Sequence, residues 1–296
     1  TANPQVASAF YETNTGKSNY NSLQVQTTVR AAQGLNFQGT YIWSRSLALS
    51  PSSYTNPADR DKDYNLAPTH VTHDFRANYT YELPIGAGKR LLGNTHGWID
   101  RVLGGWQTSG LMQASGGNPV SITAGNTLYA NGVPDVVGPF PAKPFAHVQW
   151  SGNSGNVFGN RYTANTPDPQ CSQIAAVIQP YCTLLAVTDS TTGQIVLQQP
   201  QPGHRGTLGQ KTLELPVTTD FDAALTKVIR ISESKTFQFR MDSTNVINHP
   251  NIGSNCGPAT VICAPNLSTN GTTPFGSIQA KGVSHRMFKA QLRLNF

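Results

Sequence analysis

The chain has 296 residues, of which 38% are hydrophobic and only 12% charged, with 27 Gly, 20 Pro and a formal net charge of +6. No run approaches the ~20 apolar residues that a membrane-spanning helix needs, so a helical membrane protein is excluded. A membrane barrel is permitted, because its lipid-facing residues alternate with polar ones. Lys and Arg are scattered without a basic block, which argues against a nucleic-acid partner.

Residues 1–17 are polar and rich in Asn and Thr, and read as loop. Alternation of period two then begins, the mark of a strand with one apolar and one polar face. Leu23, Val25, Thr27, Val29 and Ala31 stand against Gln24, Gln26, Thr28 and Arg30. After Ala32-Gln33-Gly34, where Gly supplies a turn, Leu35, Phe37, Gly39, Tyr41 and Trp43 alternate with Asn36, Gln38, Thr40 and Ser44. The spacing predicts strands over about 21–31 and 35–46. A polar loop over 47–70 leads to the clearest strand, 73–84, with Phe75, Ala77, Tyr79, Tyr81 and Leu83 on one face. The connection that follows is expected to hold a turn of amphipathic helix around Trp98–Leu103.

A fourth strand over 105–116 begins at Trp106. Residues 117–218 are dominated by Gly, Asn, Pro and Gln, and a loop of that length implies function or disorder. Strands over 219–232 and 236–247 flank a tight turn at Glu233-Ser234. Lys227 breaks the pattern by falling on the apolar face. It either snorkels to water near a strand end or marks a bulge that resets the register. After a Pro/Gly/Asn loop at 248–284, the terminal strand 286–296 sets Phe288, Ala290, Leu292, Leu294 and Phe296 against Met287, Lys289, Gln291, Arg293 and Asn295.

Alternation alone fits an edge of a β-sandwich as well as a barrel. The connections discriminate. In chain order they run short (32–34), long (47–70), medium (85–104), very long (117–218), short (233–235) and long (248–284), and antiparallel strands place alternate connections at opposite ends. Short turns at one end and large loops at the other is the asymmetry of outer-membrane barrels. The expected fold is therefore all-β: an antiparallel up-and-down transmembrane β-barrel, here an incomplete C-terminal portion of about seven strands forming one domain over 1–296, with long extracellular loops. Tyr41, Trp43, Tyr79, Tyr81 and Trp106 form the expected aromatic girdle.

The cysteines form two local pairs, Cys171/Cys182 and Cys256/Cys263, without zinc-site spacing. Loop disulfides made in an oxidising compartment are the expectation, free thiols the alternative. Asp59, Asp61, Asp63 and Asn65 resemble the start of a calcium loop, but Tyr64 stands where the EF-hand needs Gly and His70 where it needs Glu. His70 and His73 are spaced as a metal pair could be, yet a loop-to-strand junction accounts for them. GAGKR at 86–90 lacks the P-loop spacing, and no nucleophile elbow or HExxH occurs. No catalytic residue, metal site or cofactor is expected, and the chain is not expected to be an enzyme.

Six segments in order resemble one family. They are YNSLQVQTTVR with GLNFQGTYIWSRS, HDFRANYTYELPIGAGKR, GWQTSGLMQASGGNPVSIT, RGTLGQ with FDAALTKVIRI, FQFRMDSTNVINHPNIG, and FGSIQ leading to QLRLNF. The resemblance is to the C-terminal barrel region of TonB-dependent outer-membrane receptors, in particular the Oar-like branch. It implies a barrel of about twenty-two strands around an N-terminal plug, of which this chain supplies the last part and lacks the plug. It implies that Lys289, Leu292, Leu294 and Phe296 serve as a C-terminal signal for the outer-membrane assembly machinery, although Gln291 stands where a small residue is usual. It also implies outer-membrane lipid as surroundings, a periplasmic C-terminus, coupling to TonB through the absent plug, and uptake of an unidentified solute. A secreted or surface β-rich binding or adhesion module without transport is the alternative.

Overall fold

A computed structural model describes residues 14–31, 34–49, 59–125, 132–141, 148–232, 234–252, 264–271, 273–282 and 285–296. Its frame is one antiparallel sheet in which seven long strands follow one another in chain order. These wall strands are β1 (Lys17–Ala31), β2 (Leu35–Leu49), β3 (His73–Glu82), β4 (Trp106–Ser115), β5 (Thr218–Arg230), β6 (Thr236–Thr244) and β7 (Met287–Asn295). An eighth, very short strand, Asn65–Leu66, pairs with the outer end of β2.

Continuous register carries the sequence alternation across the whole sheet. Val25 stands opposite Tyr41, Tyr41 opposite Phe75, Phe75 opposite Ala114, and Met112 opposite Phe221. Leu225 then faces Met241, and Met241 faces Ala290. Because side chains alternate with period two, these in-register residues form a single apolar face seven strands wide. The other face carries Gln26, Thr40, Arg76, Gln113, Asp220, Asp242 and Lys289 at matching positions. Local ion pairs rib it: Arg76 with Asp74 at 3.0 Å and Arg240 with Asp242 at 2.7 Å. Tyr20, Leu111, Val228 and Met287 are its exposed apolar exceptions.

The register also requires glycine at one place. A Cβ on Gly110 would lie 2.5 Å from the Tyr79 ring and 2.9 Å from the Asp222 carbonyl. The Tyr79 and Phe221 rings, centroids 6.4 Å apart, close over that position. Gly34, with φ of +82°, supplies the turn conformation between β1 and β2.

The sheet is an open strip with β1 at one edge and β7 at the other, as expected of an incomplete portion of a barrel. One expectation needs correction: the described residues hold seventeen strands rather than seven, the additional ones lying in the long connections. These short strands explain the miscount. They are two to six residues long, too short to show a period in a Gly- and Pro-rich sequence. Wall boundaries also shift: β1 starts at Lys17, β2 runs to Leu49, β3 stops at Glu82 and β6 at Thr244. Glu233, and with it half of the expected tight turn, lies outside the described residues, but Ile231 and Lys235 pair their backbones across it.

The connections sort by end. Those after β1, β3 and β5 emerge at one end and those after β2, β4 and β6 at the other; the two longest, after β4 and β6, share the second end, while those after β2 and β3 are equal in length. At the long-loop end the last two connections fold into a cap. A four-stranded sheet (Tyr162–Pro167, Leu185–Asp189, Ile195–Gln198, Asp135–Val136) and a three-stranded one (Ser277–Ile278, Ser154–Asn156, Gln149–Ser151) flank its core. The segment 117–218 is thus built structure over its described residues, not the featureless loop its composition suggests.

The buried hydrophobic cluster lies entirely in this cap: Ile122, Val187, Leu197 and Leu213 from one connection meet Ile252, Leu267, Phe275 and Ile278 from the other. Phe158 stacks on Phe275 with centroids 5.1 Å apart. The wall contributes nothing to that cluster, and Leu23, Val25, Trp43, Phe288, Leu292 and Leu294 are exposed on its apolar face. A protein that hides its core in its loops and displays apolar side chains on its sheet has surroundings other than water for that sheet.

Candidate functional site: the long-loop rim

Cap and wall are joined by polar side chains at the rim. Arg205, from the cap, donates to Asp63 at 2.9 Å, and the Asp63 side chain is fully buried. Asn251 receives the Thr219 backbone N–H and donates to the Thr219 carbonyl and to Asp220. The Asp222 carboxylate accepts the Asn245 backbone N–H.

The fullest junction runs through His70, which is only 2% exposed. The Ser46 backbone N–H donates to His70 Nδ1 at 3.1 Å, which fixes the tautomer with the proton on Nε2. Nε2 donates to Thr72 Oγ1 at 3.0 Å, and that hydroxyl donates to the Glu214 carboxylate at 2.9 Å. The chain links β2 to the strand Leu213–Glu214, which pairs with Pro119–Val120. Burial pushes the His70 pKa below the ordinary imidazole value and outweighs the opposing pull of Glu214. With Nδ1 already accepting, the ring is a structural tie and offers no free lone pair as a base.

Beside it opens a cleft of about 900 Å³ between the outer ends of β1 and β2 and the segment 210–214. Trp43, Leu23 and Leu47 give it an apolar side; Arg45, Lys211 and Glu214 give it charge. Lys211 sits at φ of +50°, and burial lowers its pKa. Two buried polar atoms, Asn65 Nδ2 and Thr212 Oγ1, have no hydrogen-bond partner among the described residues. Concave and mixed in polarity, the cleft opens beside the apolar face that carries Leu23 and Trp43, and suits a ligand that is part polar and part apolar.

The residues singled out from sequence divide as follows. Tyr41 and Trp43 stand toward the long-loop end of the wall, and Tyr79, Tyr81 and Trp106 toward the short-turn end. Along the register Tyr41 stands opposite Phe75, four residues from Tyr79. Lys289, Leu292 and Leu294 lie on the edge strand β7, with Phe296 just beyond it. Cys171 and Cys182 are disulfide-bonded, with Cα atoms 5.5 Å apart; Cys256 and Cys263 lie outside the described residues. The acidic run does not converge: Asp59 pairs with Lys62, Asp61 with Lys17, and Asp63 with Arg205. His70 and His73 also part, since His73 bonds Tyr41 Oη at 2.7 Å. Lys211, Thr212 and Glu214 carry no motif, and only the fold brings them to the rim.

Lys227 differs from both expectations. Pairing on both sides of β5 is unbroken through it, so there is no bulge. Nor does it reach water: it is 5% exposed, its ammonium donates to the carbonyls of Val102 and Gly104, and it lies over the Trp106 ring.

An up-and-down wall with an exposed apolar face, short turns at one end and a folded cap at the other defines a membrane β-barrel segment. The family model of the outer membrane beta barrel domain matches residues 1–289, and the chain belongs to that family. It is an outer-membrane protein. No curated protein and no solved structure matches the chain significantly.

Proposed function

We propose that this chain is part of the barrel wall and the solute-capturing outer cap of a TonB-dependent receptor of the Oar-like branch, working in energised uptake. The observation that carries the reading is the division of labour between wall and loops. The wall has a lipid-type face and a charged, hydrogen-bonding face, while the two long connections at one end build a cored cap, with a ligand-sized cleft where segment 210–214 meets the outer ends of β1 and β2. In this reading the polar face lines the lumen and further strands continue the sheet from its edges. The cap is extracellular and Phe296 ends on the periplasmic side. Lys289, Leu292, Leu294 and Phe296 are read by the assembly machinery, and TonB acts on a plug supplied by the rest of the protein. No catalysis and no cofactor enter.

The test is a deletion strain lacking the whole protein, grown on a mixture of peptides, glycans and metal chelates and followed by mass spectrometry. Receptor function predicts loss of energy-dependent accumulation of at least one solute, reproduced by disrupting TonB. Unchanged accumulation with reduced surface adhesion would instead support a binding module without transport.

A further inference from the structure

The connection between β3 and β4 lies at the short-turn end, away from the cap, and contains the helix α1 (Trp98–Leu103). None of the residues of α1 is buried. Trp98, Ile99, Val102 and Leu103 are exposed, as are Leu91 and Leu92 in the preceding turn, and Trp98 is 74% exposed. At 100° per residue, the four helical positions form one apolar stripe. Asp100 occupies the opposite side, where its carboxylate accepts the Ala87 N–H and pins the helix to the preceding turn. Arg101 and Arg90 are exposed beside this apolar surface.

The placement of α1 gives this surface an occupant. Its last turn is held against the apolar face of the wall, because the Val102 carbonyl accepts from Lys227 Nζ at 2.8 Å and from Trp106 Nε1 at 3.3 Å. Trp106 is the first residue of β4, which has ten residues. At ~3.3 Å per residue and a tilt of about 45°, such a strand rises roughly 23 Å, close to the ~25 Å apolar band of an outer-membrane barrel. The helix therefore lies at the lower margin of that band and continues its apolar surface outward.

We infer that the segment 90–103 is an interfacial anchor: it lies in the surface of the phospholipid leaflet at the short-turn end, with Trp98, Ile99, Val102 and Leu103 entering the acyl boundary and Arg90 and Arg101 meeting lipid phosphates. The anchor also accounts for Lys227. A cation in the apolar band is neutralised by the carbonyl end of a helix that the lipid surface holds down. The inference rests on the membrane-wall reading, and its test separates the two.

The test uses the natural full-length protein in phospholipid bilayers with brominated acyl chains. The emission difference between the native protein and W98F isolates Trp98, and that between native and W43F isolates Trp43 on the wall. The expected result is blue-shifted Trp98 emission, quenched by bromolipid at least as strongly as that of Trp43 and protected from aqueous acrylamide. Trp98 quenched by acrylamide but not bromolipid, with Trp43 still quenched by bromolipid, overturns the anchor and leaves the wall standing. Quenching of neither by bromolipid overturns both.

Discussion

The ammonium of Lys227 donates to the carbonyl oxygen of Val102 at 2.8 Å, across 125 residues of chain. With the Gly104 carbonyl it fills the end of α1, so that a charge on the apolar face satisfies backbone groups that lipid could not. Replacing Lys227 by Met keeps the stem and removes the donor. The expected cost is about 1–3 kcal/mol for carbonyls left unsatisfied, seen as a lower midpoint of heat-modifiable gel mobility. A midpoint equal to the native one would show that the contact is incidental.

Gly110 tests the wall register in a different way. Its added Cβ would meet the Tyr79 ring at 2.5 Å and the Asp222 carbonyl at 2.9 Å. The ring can swing aside, whereas the carbonyl belongs to the neighbouring strand. Gly110→Ala should therefore cost about 1–3 kcal/mol, the range for overpacking a close contact, and Tyr79→Ala should not restore it. Full rescue by Tyr79→Ala would place the whole clash on the side chain.

The His70 junction predicts a pH dependence with a definite sign. Its folded pKa lies below the unfolded value, which is about 6.5. The unfolded state then binds more protons in the window between the two, so stability rises with pH across it. The stabilisation is fully present above about pH 6.5 and is lost as pH falls toward the folded value. Hydrogen-exchange protection of residues 213–214 and 44–47 should decline on acidification from neutral pH, and His70→Gln should flatten that decline. Protection that increases on acidification would mean that the Glu214 interaction dominates.

The disulfide Cys171–Cys182 belongs to the cap, not the wall. It encloses a short loop in which Val177 and Tyr181 are exposed and on which no core residue depends. Cys171→Ser with Cys182→Ser should lower cap stability by about 2–3 kcal/mol, the value for closing a loop of roughly this size. Protease sensitivity should rise at 172–181 first, while the heat-modifiable mobility of the barrel is kept. Loss of the mobility shift would show that cap and wall fold as one unit.

How much of this was legible in the sequence follows from which residues repeat. The wall was, because lipid on one side and polar groups on the other impose period two over about ten residues, as in His73 to Glu82. The helix at Trp98–Leu103 was legible from its short amphipathic pattern. The cap was not: strands such as Leu213–Glu214 and Asp135–Val136 are too short to repeat, and Ile122, Leu213 and Phe275 meet only through tertiary packing. The rim cleft was equally hidden, since Asn65 and Thr212 are ordinary residues until two distant connections bury them together. Lys227 violates the alternation, and its sequence context offers only a snorkelling stem or a local bulge. Its partners lie on a helix whose position one strand's pattern does not encode.

The central claim is that the two faces of the wall meet different media, and β1 tests it most directly. In the full-length protein reconstituted in bilayers, single spin labels placed in turn from Leu23 to Arg30 report access to oxygen, which concentrates in lipid, and to a water-soluble nickel chelate. Leu23, Val25, Thr27 and Val29 are predicted to favour oxygen, and Gln24, Gln26, Thr28 and Arg30 the chelate, with a period of two. Equal access to the chelate at all eight positions, or an oxygen preference on the even ones, would contradict the assignment of the apolar face to lipid.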